Sequence, residues 1–162
     1  MKIVIFSDSH GNRTNMRETL KTEKPRMVFY LGDGLRDIER VMEEFPDIAL
    51  HCVAGNCDLR SHVPTEELVI VQNIPMLLAH GHTHNVKYGY ESYLIYGMKR
   101  GMQVLLAGHT HTPCIWEDRG VVLINPGSVG NYFSPTYAVL EIEDGLIRRM
   151  EIRKVEHPVY ER

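Results

Sequence analysis

The first third of the chain alternates short apolar runs with segments of helical periodicity. The apolar, β-rich runs are Lys2–Phe6, residues 27–31 and residues 48–53, and each has the length of a buried strand. Between them, residues 12–22 and 35–45 repeat apolar side chains at the helical spacing of three and four. A strand–helix–strand–helix–strand order predicts parallel strands joined by right-handed crossovers.

The remainder of the chain is dominated by shorter strand-like runs separated by turn signals. Residues 67–72 and Ile74–Ala79 are one residue apart and predict a tight hairpin, in which Pro75 favours an edge position. Residues 90–100 are compatible with a helix that ends at Gly101. Further strands are predicted at residues 104–107, 114–116, 121–125, 137–143 and 146–152. Two packed sheets with helices on the outside account for this set of strands.

Composition and charge place the chain among ordinary globular proteins. It has 162 residues, 43% of them hydrophobic and 24% charged, which fits a single domain over residues 1–162 with one core. The formal net charge is −3 and the basic residues are scattered. Binding of duplex nucleic acid by electrostatics alone is therefore not expected.

Targeting and redox signals favour the cytoplasm. The N-terminal apolar run turns polar at Ser7, too early for a secretory signal, and no apolar run is long enough to span a bilayer. The three cysteines, Cys52, Cys57 and Cys114, form an odd and widely spaced set. Such a set argues against a disulfide framework and is typical of a reducing compartment. We therefore expect a cytoplasmic protein that does not associate with membranes.

Five short polar clusters close the predicted strands and carry side chains that bind metals. They are Asp8-Ser9-His10, Gly32-Asp33, Gly55-Asn56-Cys57-Asp58, His80-Gly81-His82 and Gly108-His109-Thr110-His111. Asp, Asn and His offer the mixed oxygen and nitrogen donors that divalent metals of borderline hardness prefer. Because open α/β sheets bind ligands at the carboxyl ends of their strands, the five clusters are expected to converge. The pattern predicts a hydrolase with two metal ions.

Each predicted ligand also has a simpler interpretation. Asp8 or Asn12 is a candidate to cap the first helix, and Asp33 to cap the second. His109 and His111 would face opposite ways if the strand continued through them, so a loop has to redirect them. The prediction of a metal site fails only if all of these simpler interpretations are true at the same time. The dinuclear interpretation is therefore preferred.

The series of clusters resembles the calcineurin-like metallophosphoesterase superfamily and is especially similar to the small single-domain phosphodiesterases of bacteria and archaea. Those members also carry Cys after Gly-Asn and an Asn-Pro-Gly-Ser segment. The latter is here Asn125-Pro126-Gly127-Ser128, which we interpret as a turn supporting the floor of the site. The resemblance covers residues 8–128. It implies an α/β fold, a four-layer α-β-β-α sandwich of two mixed sheets flanked by helices.

The resemblance also assigns the metal ligands and the reaction. Asp33 would bridge two divalent ions, one held by Asp8, His10 and His111 and the other by Asn56, His80 and His109. Manganese is the expected metal, although nickel, iron, cobalt and zinc suit the same donors. Two such ions lower the pKa of a shared water and clamp the phosphoryl oxygens. In-line attack by the bridging hydroxide, without a covalent intermediate, is the expected reaction.

Three further positions are assigned roles near the reaction. Many superfamily members have His where this chain has Cys57, with the next residue, here Asp58, orienting it as a general acid. A thiol, with a reference pKa of about 8.5, replaces imidazole poorly, so substrates with good leaving groups are expected. A purely structural role for the Cys57 thiol is also left open. Asp58 alternatively orients Asn56 or nearby backbone, or pairs with Arg60. The expected catalytic residues are thus Asp33, Asn56, Cys57 and Asp58, and the expected substrate contacts are Asn56 and His82.

Other side chains near the clusters are given ordinary roles. His84 is expected to be exposed to solvent, and Asp37 to be a charge on the surface of the second helix. In related phosphodiesterases a basic residue often follows the Asn-Pro-Gly-Ser segment, but here Asn131, Tyr132 and Phe133 follow it. The second contact with the substrate is therefore left open.

Three functions compete. The preferred one is a metal-dependent phosphodiesterase, or a broader phosphoesterase, acting on a small phosphate ester. The alternative is a non-catalytic metal-binding scaffold or protein-interaction module, like the phosphoesterase-like subunit of the retromer coat, but no ligand is missing here. A protein phosphatase ranks below both, because such members are larger and use His at the position of Cys57. A cysteine phosphatase is excluded because Val63 stands where those enzymes need Arg. A homo-oligomer is left open by Tyr88, Tyr90, Tyr93 and Tyr96, although aromatic helix faces more often join the core.

Overall fold

Two five-stranded β-sheets form the centre of the protein in a computed structural model that describes residues 1–160. The helices are α1 (Thr14–Glu23), α2 (Leu35–Met42) and α3 (Glu91–Lys99), and two short 3-10 turns cover His82–His84 and Val86–Tyr88. The strands are β1 (Lys2–Phe6), β2 (Met27–Tyr30), β3 (Ala49–Cys52), β4 (Glu66–Val71), β5 (Ile74–Ala79), β6 (Val104–Leu106), β7 (Cys114–Asp118), β8 (Val121–Asn125), β9 (Thr136–Glu143) and β10 (Leu146–Lys154).

Both sheets are mixed. The first has the order β10-β9-β1-β2-β3, in which β1, β2 and β3 are parallel, β9 is antiparallel to β1, and β10 is antiparallel to β9. The second has the order β4-β5-β6-β8-β7, in which β5, β6 and β8 are parallel and the two edge strands are antiparallel. The predicted strand–helix–strand–helix–strand order of the first sheet is thereby confirmed.

Alternate side chains of β1 enter two different cores. Ile3 and Ile5 are fully buried between the two sheets, where the second sheet contributes residues such as Met76. Val4 points to the other face and packs in a core that includes Met16 of α1. Because parallel strands inside a sandwich are covered on both faces, their sequences are continuously apolar instead of alternating. The four-layer α-β-β-α sandwich implied by the resemblance is confirmed.

Helix α3 covers the outer face of the second sheet. Tyr93 is fully buried there, and its hydroxyl donates to backbone oxygens of both β5 and β6 at 3.1 and 3.0 Å. The helix ends as predicted: Gly101 has φ +72°, and the Met102 N–H returns to the Gly97 carbonyl at 3.1 Å. Within residues 1–160, no helix is long and apolar enough to cross a membrane.

Two sequence predictions about element positions are wrong. Helix α2 ends at Met42, and the Phe45 N–H closes a following turn on the Met42 carbonyl at 3.0 Å. Strand β5 lies inside its sheet, so Pro75 does not mark an edge strand. The Pro75 carbonyl accepts from Gln103 N–H at 2.9 Å, and its ring nitrogen faces the same side, ahead of the first residue of β6. Pro75 therefore lacks its N–H donor at a point where β5 and β6 are not yet paired, so no hydrogen bond between these strands is lost.

Candidate metal centre

The ligand-bearing loops of both sheets meet at the carboxyl ends of the parallel strands. The Asp8 N–H donates to the Gly32 carbonyl at 3.0 Å, which joins the loops after β1 and β2. The Gly108 N–H donates to the His80 carbonyl at 2.9 Å, which joins the loops after β5 and β6. A bond from His109 N–H to Asp8 Oδ2, at 3.1 Å, then connects the two sheets. The predicted convergence of distant segments is confirmed for these loops.

Five of the seven predicted ligands have left-handed backbone conformations. The φ values are 56° at Asp8, 44° at His10, 59° at Asp33, 65° at His109 and 58° at His111. Such angles cost a non-glycine residue on the order of 1–2 kcal/mol each and persist where the surrounding structure requires them. They turn each side chain out of the strand direction and towards the common centre. The left-handed backbone at His109 and His111 thus provides the change of direction that lets both side chains face the same centre.

Asp8, His10 and His111 form the first ligand group. Asp8 Oδ1 lies 3.1 Å from His111 Nε2 and 3.6 Å from His10 Nε2, and the two imidazole nitrogens are 3.2 Å apart. Asp8 Oδ2 is already bonded, by the Ser7 hydroxyl at 2.5 Å and by the His109 amide. The buried carboxylate is therefore held by one oxygen and offers the other.

His80, His109 and Asp33 form the second group. The His80 side chain is fully buried, and its Nδ1 donates to the Leu31 carbonyl at 2.7 Å. Because Nδ1 is committed to this carbonyl, Nε2 is the His80 nitrogen available to a metal, and it lies 3.1 Å from His109 Nδ1 and 3.5 Å from Asp33 Oδ2. Asp33 Oδ1 accepts the Cys57 N–H at 2.7 Å. His80 and Asp33 are each oriented by a bond from outside the group.

The distances within the first group, and between the His80 and His109 imidazoles of the second, fit divalent metal ions. With bonds of about 2.0–2.2 Å, two ligand atoms of one ion lie roughly 2.9–3.4 Å apart for octahedral to tetrahedral arrangements. The imidazole pairs His10–His111 and His80–His109, at 3.2 and 3.1 Å, match that spacing. One donor atom each from Asp8, Asp33 and His80 also lies within 4.8 Å of the others, which links the two groups.

The protonation states of Asp8, Asp33 and His109 suit the binding of a cation. Burial opposes ionisation of Asp8, but its hydrogen bonds with His10 and His111 outweigh burial and hold the pKa well below its usual range. Burial likewise opposes ionisation of Asp33, yet hydrogen bonds with His80 and Cys57 lower its pKa to about 2. The carboxylates thus stay ionised. Burial and the charge of His80 lower the pKa of His109 to about 4, so this imidazole stays neutral and able to bind a metal.

Two glycines allow the close approach of the loops. A Cβ on Gly55 would lie 2.1 Å from Asp33 Oδ1, and one on Gly108 would lie 1.9 Å from Ser7 Oγ. Neither position has room for a side chain while the carboxylates keep their places. The glycines noted in the ligand clusters therefore serve packing around Asp33 and Asp8.

Asn56 and Cys57 lie on the exposed rim of the centre. The Asn56 amide nitrogen is 3.4 Å from Cys57 Sγ. The Cys57 sulfur also lies within 4.8 Å of donor atoms of His10 and Asp33. A hydrogen bond with the Asp33 carboxylate, with a smaller effect of burial, raises the pKa of the Cys57 thiol to about 11. At neutral pH the thiol keeps its proton, which agrees with the exclusion of a cysteine phosphatase.

Asp58 is bonded to backbone on two loops. Its Oδ2 accepts the N–H groups of Asp33 at 2.7 Å and Gly55 at 2.8 Å. Its Oδ1 accepts those of Gly34 at 2.9 Å and Leu35 at 3.0 Å, at the start of α2. Asp58 therefore caps α2, the role considered for Asp33, and ties the loop of Asp33 to the loop of Asn56. Among the roles considered for Asp58, these bonds correspond to the orientation of nearby backbone.

The two other histidines of the His80 segment have different surroundings. The His82 ring lies 5.5 Å from that of His80, and its buried Nδ1 is without a hydrogen bond among the described residues. The expectation that His84 is exposed is wrong. Its ring packs against Tyr93 and Tyr96, at centroid distances of 4.6 and 4.7 Å, because the 3-10 turn folds it back onto α3.

Asp37 is not a mere surface charge, contrary to the sequence interpretation. Its Oδ2 accepts the Ser9 hydroxyl at 2.7 Å and the Gly11 N–H at 2.8 Å, on both sides of His10. Ser9 is bonded in turn to the hydroxyl of Tyr30 at 2.7 Å. The loop that carries His10 is thus fixed by a side chain of α2.

The Asn-Pro-Gly-Ser segment supports the site from below, as predicted. The Asn125 amide donates to the Gly108 carbonyl at 2.8 Å, and the Ser128 hydroxyl donates to the Asp8 carbonyl at 2.8 Å. Sequence reasoning missed Ser7 and Ser9 as supports. Only their places beside the ligand clusters could have suggested this role.

A groove of about 660 Å³ opens beside the first ligand group. Its wall begins at His10, Asp33 and Cys57 and continues along the start of α2 and the loop of residues 58–63. This volume is in the range of small-molecule sites.

An α-β-β-α sandwich with carboxylate and imidazole groups at the carboxyl ends of its parallel strands defines a metallophosphoesterase. The sequence model of the calcineurin-like phosphoesterase superfamily domain matches residues 1–145, and the chain belongs to that superfamily. A probable metallophosphoesterase of Methanothermobacter thermautotrophicus is 33% identical, with 98% of this chain and 95% of that protein covered. A phosphodiesterase of Methanocaldococcus jannaschii is 28% identical, with 88% and 94% covered.

Solved structures share the fold. A predicted phosphoesterase from Streptococcus pneumoniae has a TM-score of 0.79 and 25% identity, with 98% of this chain and 92% of that chain covered. Vps29 from Entamoeba histolytica, solved in complex with zinc, has a TM-score of 0.74 and 24% identity, with 96% and 98% covered. The likeness to Vps29 shows the fold alone.

Proposed function

We propose that this chain is a phosphodiesterase that hydrolyses small phosphate esters with two divalent metal ions, manganese being the expected metal. The observation that carries the proposal is the pair of adjacent ligand groups, in each of which the two imidazole nitrogens are spaced like ligands of one ion. The related phosphodiesterase of M. jannaschii supports the choice of a diester.

The ligands divide as the family resemblance implies. Asp8, His10 and His111 would hold one ion, Asn56, His80 and His109 would hold the other, and Asp33 would be a ligand of both. When bound, the two ions supply a shared hydroxide as the nucleophile at neutral pH and neutralise charge on the phosphoryl oxygens.

The chain's own residues prepare the centre for an anionic ester. Asp8 and Asp33 contribute two negative charges against the four positive charges of the ions, so the net charge attracts a phosphate. His82 stands at the edge of the second group, and burial together with His80 lowers its pKa. The His82 imidazole is partly exposed and its ring centre lies 5.5 Å from that of His80, so it is placed to contact a phosphoryl oxygen, beside Asn56.

Cys57 and Asp58 have different parts in the proposal. The Cys57 thiol keeps its proton and is a weak acid beside the reacting phosphate, so esters whose leaving groups depart without a proton are hydrolysed best. Asp58 positions the backbone of the two loops and does not touch the substrate. Its four N–H partners leave its carboxylate no free direction towards the centre.

The non-catalytic scaffold is the second candidate, favoured by the fold that the chain shares with Vps29. The catalytic proposal is preferred because the buried carboxylates and the left-handed ligand backbone are costly features. A scaffold that binds its partner elsewhere has no need of them.

The test uses paired chromogenic esters, bis(p-nitrophenyl) phosphate and p-nitrophenyl phosphate, with metal-stripped protein titrated with manganese, nickel or zinc. We expect metal-dependent turnover of the diester, at least tenfold faster than of the monoester, and its loss in Asp33→Ala. The matched control is Asp47→Ala, an exposed aspartate outside the centre. Turnover of the monoester alone would overturn the diesterase assignment. No turnover in protein that holds two ions would favour the scaffold.

A further inference from the structure

The groove beside the first ligand group is a continuation of the centre, and its wall includes two arginines that have no charged partner among the described residues. His10, Asp33 and Cys57 form its inner end, and Arg36 and Arg60 are exposed along its wall. Over residues 1–160, neither guanidinium has an ion pair or a hydrogen bond with another side chain. Both are free to bind an anion that enters the groove.

Most of the carboxylates in the wall of this groove already contact other groups of the protein. Asp33 faces the metal ligands, Asp37 holds the loop of His10, and Asp58 is bonded to four backbone N–H groups. Glu39 is the remaining acidic side chain that lines the groove. The groups available to a ligand are therefore mainly donors, the two arginines and His62.

The groove also offers apolar surface. Leu59 is 81% exposed on its rim, and Leu35 and Val63 line it. The groove wall thus combines apolar side chains with two arginines that are unpaired in the described part of the chain, a lining that suits a ligand with an apolar body and a charged end.

We propose that this groove binds one ester arm of the substrate, an arm with an apolar body and a second anionic group that contacts Arg36 and Arg60. The inference rests on the proposed function and narrows its substrate class to diesters that carry a further negative charge. It also supplies the second substrate contact that the residues after the Asn-Pro-Gly-Ser segment left open. The contact comes from the loop after Asn56, on the α2 side of the centre.

The geometry favours a contact with a separate anion over a second contact with the reacting phosphate. The reacting phosphate is expected between the two ligand groups, at the inner end of the groove. Both arginines are long side chains on the outer wall, so a charge several atoms along the ester arm comes within their reach. Arg–anion bonds of this kind are paired and directional, which gives selectivity between esters.

The test compares methyl p-nitrophenyl phosphate with the same ester bearing a carboxylate on the nitrophenyl ring. The quantity measured is the ratio of kcat/KM for the two esters in manganese-loaded protein. The ratio in the double variant Arg36→Gln/Arg60→Gln corrects for the intrinsic reactivity of the two leaving groups. We expect the wild-type ratio to exceed the variant ratio by about tenfold, and the excess to shrink at high salt.

The matched control is Arg40→Gln, an exposed arginine on the same helix that does not line the groove. It should keep the wild-type ratio. Equal ratios in wild type and double variant, with both esters turned over, would overturn the inference and leave the phosphodiesterase proposal standing. Absence of turnover of either ester in the wild-type protein would instead overturn the proposed function, and this inference with it.

Discussion

Replacing Asp58 with Asn separates a structural role from a catalytic one. Asp58 accepts four backbone N–H groups, two on each oxygen, at 2.7 to 3.0 Å. An Asn side chain has the same shape but keeps one oxygen. Its amide group would place N–H donors against two backbone donors. Either Asp33 and Gly55 or Gly34 and Leu35 would then lose their acceptor.

The expected cost follows from those lost bonds. A hydrogen bond to a charged group contributes about 1.5–3 kcal/mol, so two lost bonds amount to about 3–6 kcal/mol in a fully buried site. Asp58 is half-buried, which reduces the expected loss to about 2–4 kcal/mol. For a chain of this size that corresponds to a fall in Tm of about 5–15 °C.

The assay is urea unfolding of chelator-treated protein, followed by circular dichroism, with Asp47→Asn as the control for an exposed aspartate. We expect the Asp58→Asn midpoint to fall with an unchanged slope and the control to match wild type. A variant as stable as wild type in the absence of metal, with only kcat reduced, would refute the reasoning. It would assign Asp58 to the orientation of a proton donor.

Three other perturbations have expected outcomes. Gly55→Ala places a Cβ 2.1 Å from Asp33 Oδ1 and so displaces that carboxylate. The metal affinity, measured by competition with a chelating dye, should fall by about 10–100-fold. An unchanged affinity would contradict the packing argument. Cys57→His replaces a thiol of pKa about 11 with an imidazole, so turnover of alkyl esters should rise relative to nitrophenyl esters, and a constant ratio would remove Cys57 from the reaction. The hydrogen bond with Asp8 raises the pKa of His10, so protons compete with metal at a higher pH than for an ordinary imidazole. Manganese affinity should therefore decrease as the pH falls through neutrality, and affinity that rises on acidification would contradict this.

The sequence is sufficient for the strands and for the place where the ligand clusters meet. Uninterrupted apolar runs such as Lys2–Phe6 are typical of strands covered on both faces, and their ends all lie at one edge because the strands are parallel. The Gly101 cap is equally local, since it depends on one residue's tolerance of positive φ.

Features that depend on distant partners could not be predicted. Asp37 supports the loop of His10 through Ser9, which is far away in sequence, and its spacing on α2 is that of any surface charge. His84 is polar and follows a loop signal, yet it packs on α3. The left-handed backbone at ligands such as Asp33 follows from the loop–loop contacts of the folded chain, since Asp tolerates such an angle in a single position but the sequence does not require it there.

The central claim is that two ions act together in this centre, and the most direct test is a titration of metal-free protein with manganese. Bound metal per chain and turnover of bis(p-nitrophenyl) phosphate are measured at each addition. We expect turnover to reach its maximum when two ions are bound per chain, and His111→Ala to bind one ion and to be inactive. Full turnover with one bound ion, or turnover that does not depend on metal, would contradict it.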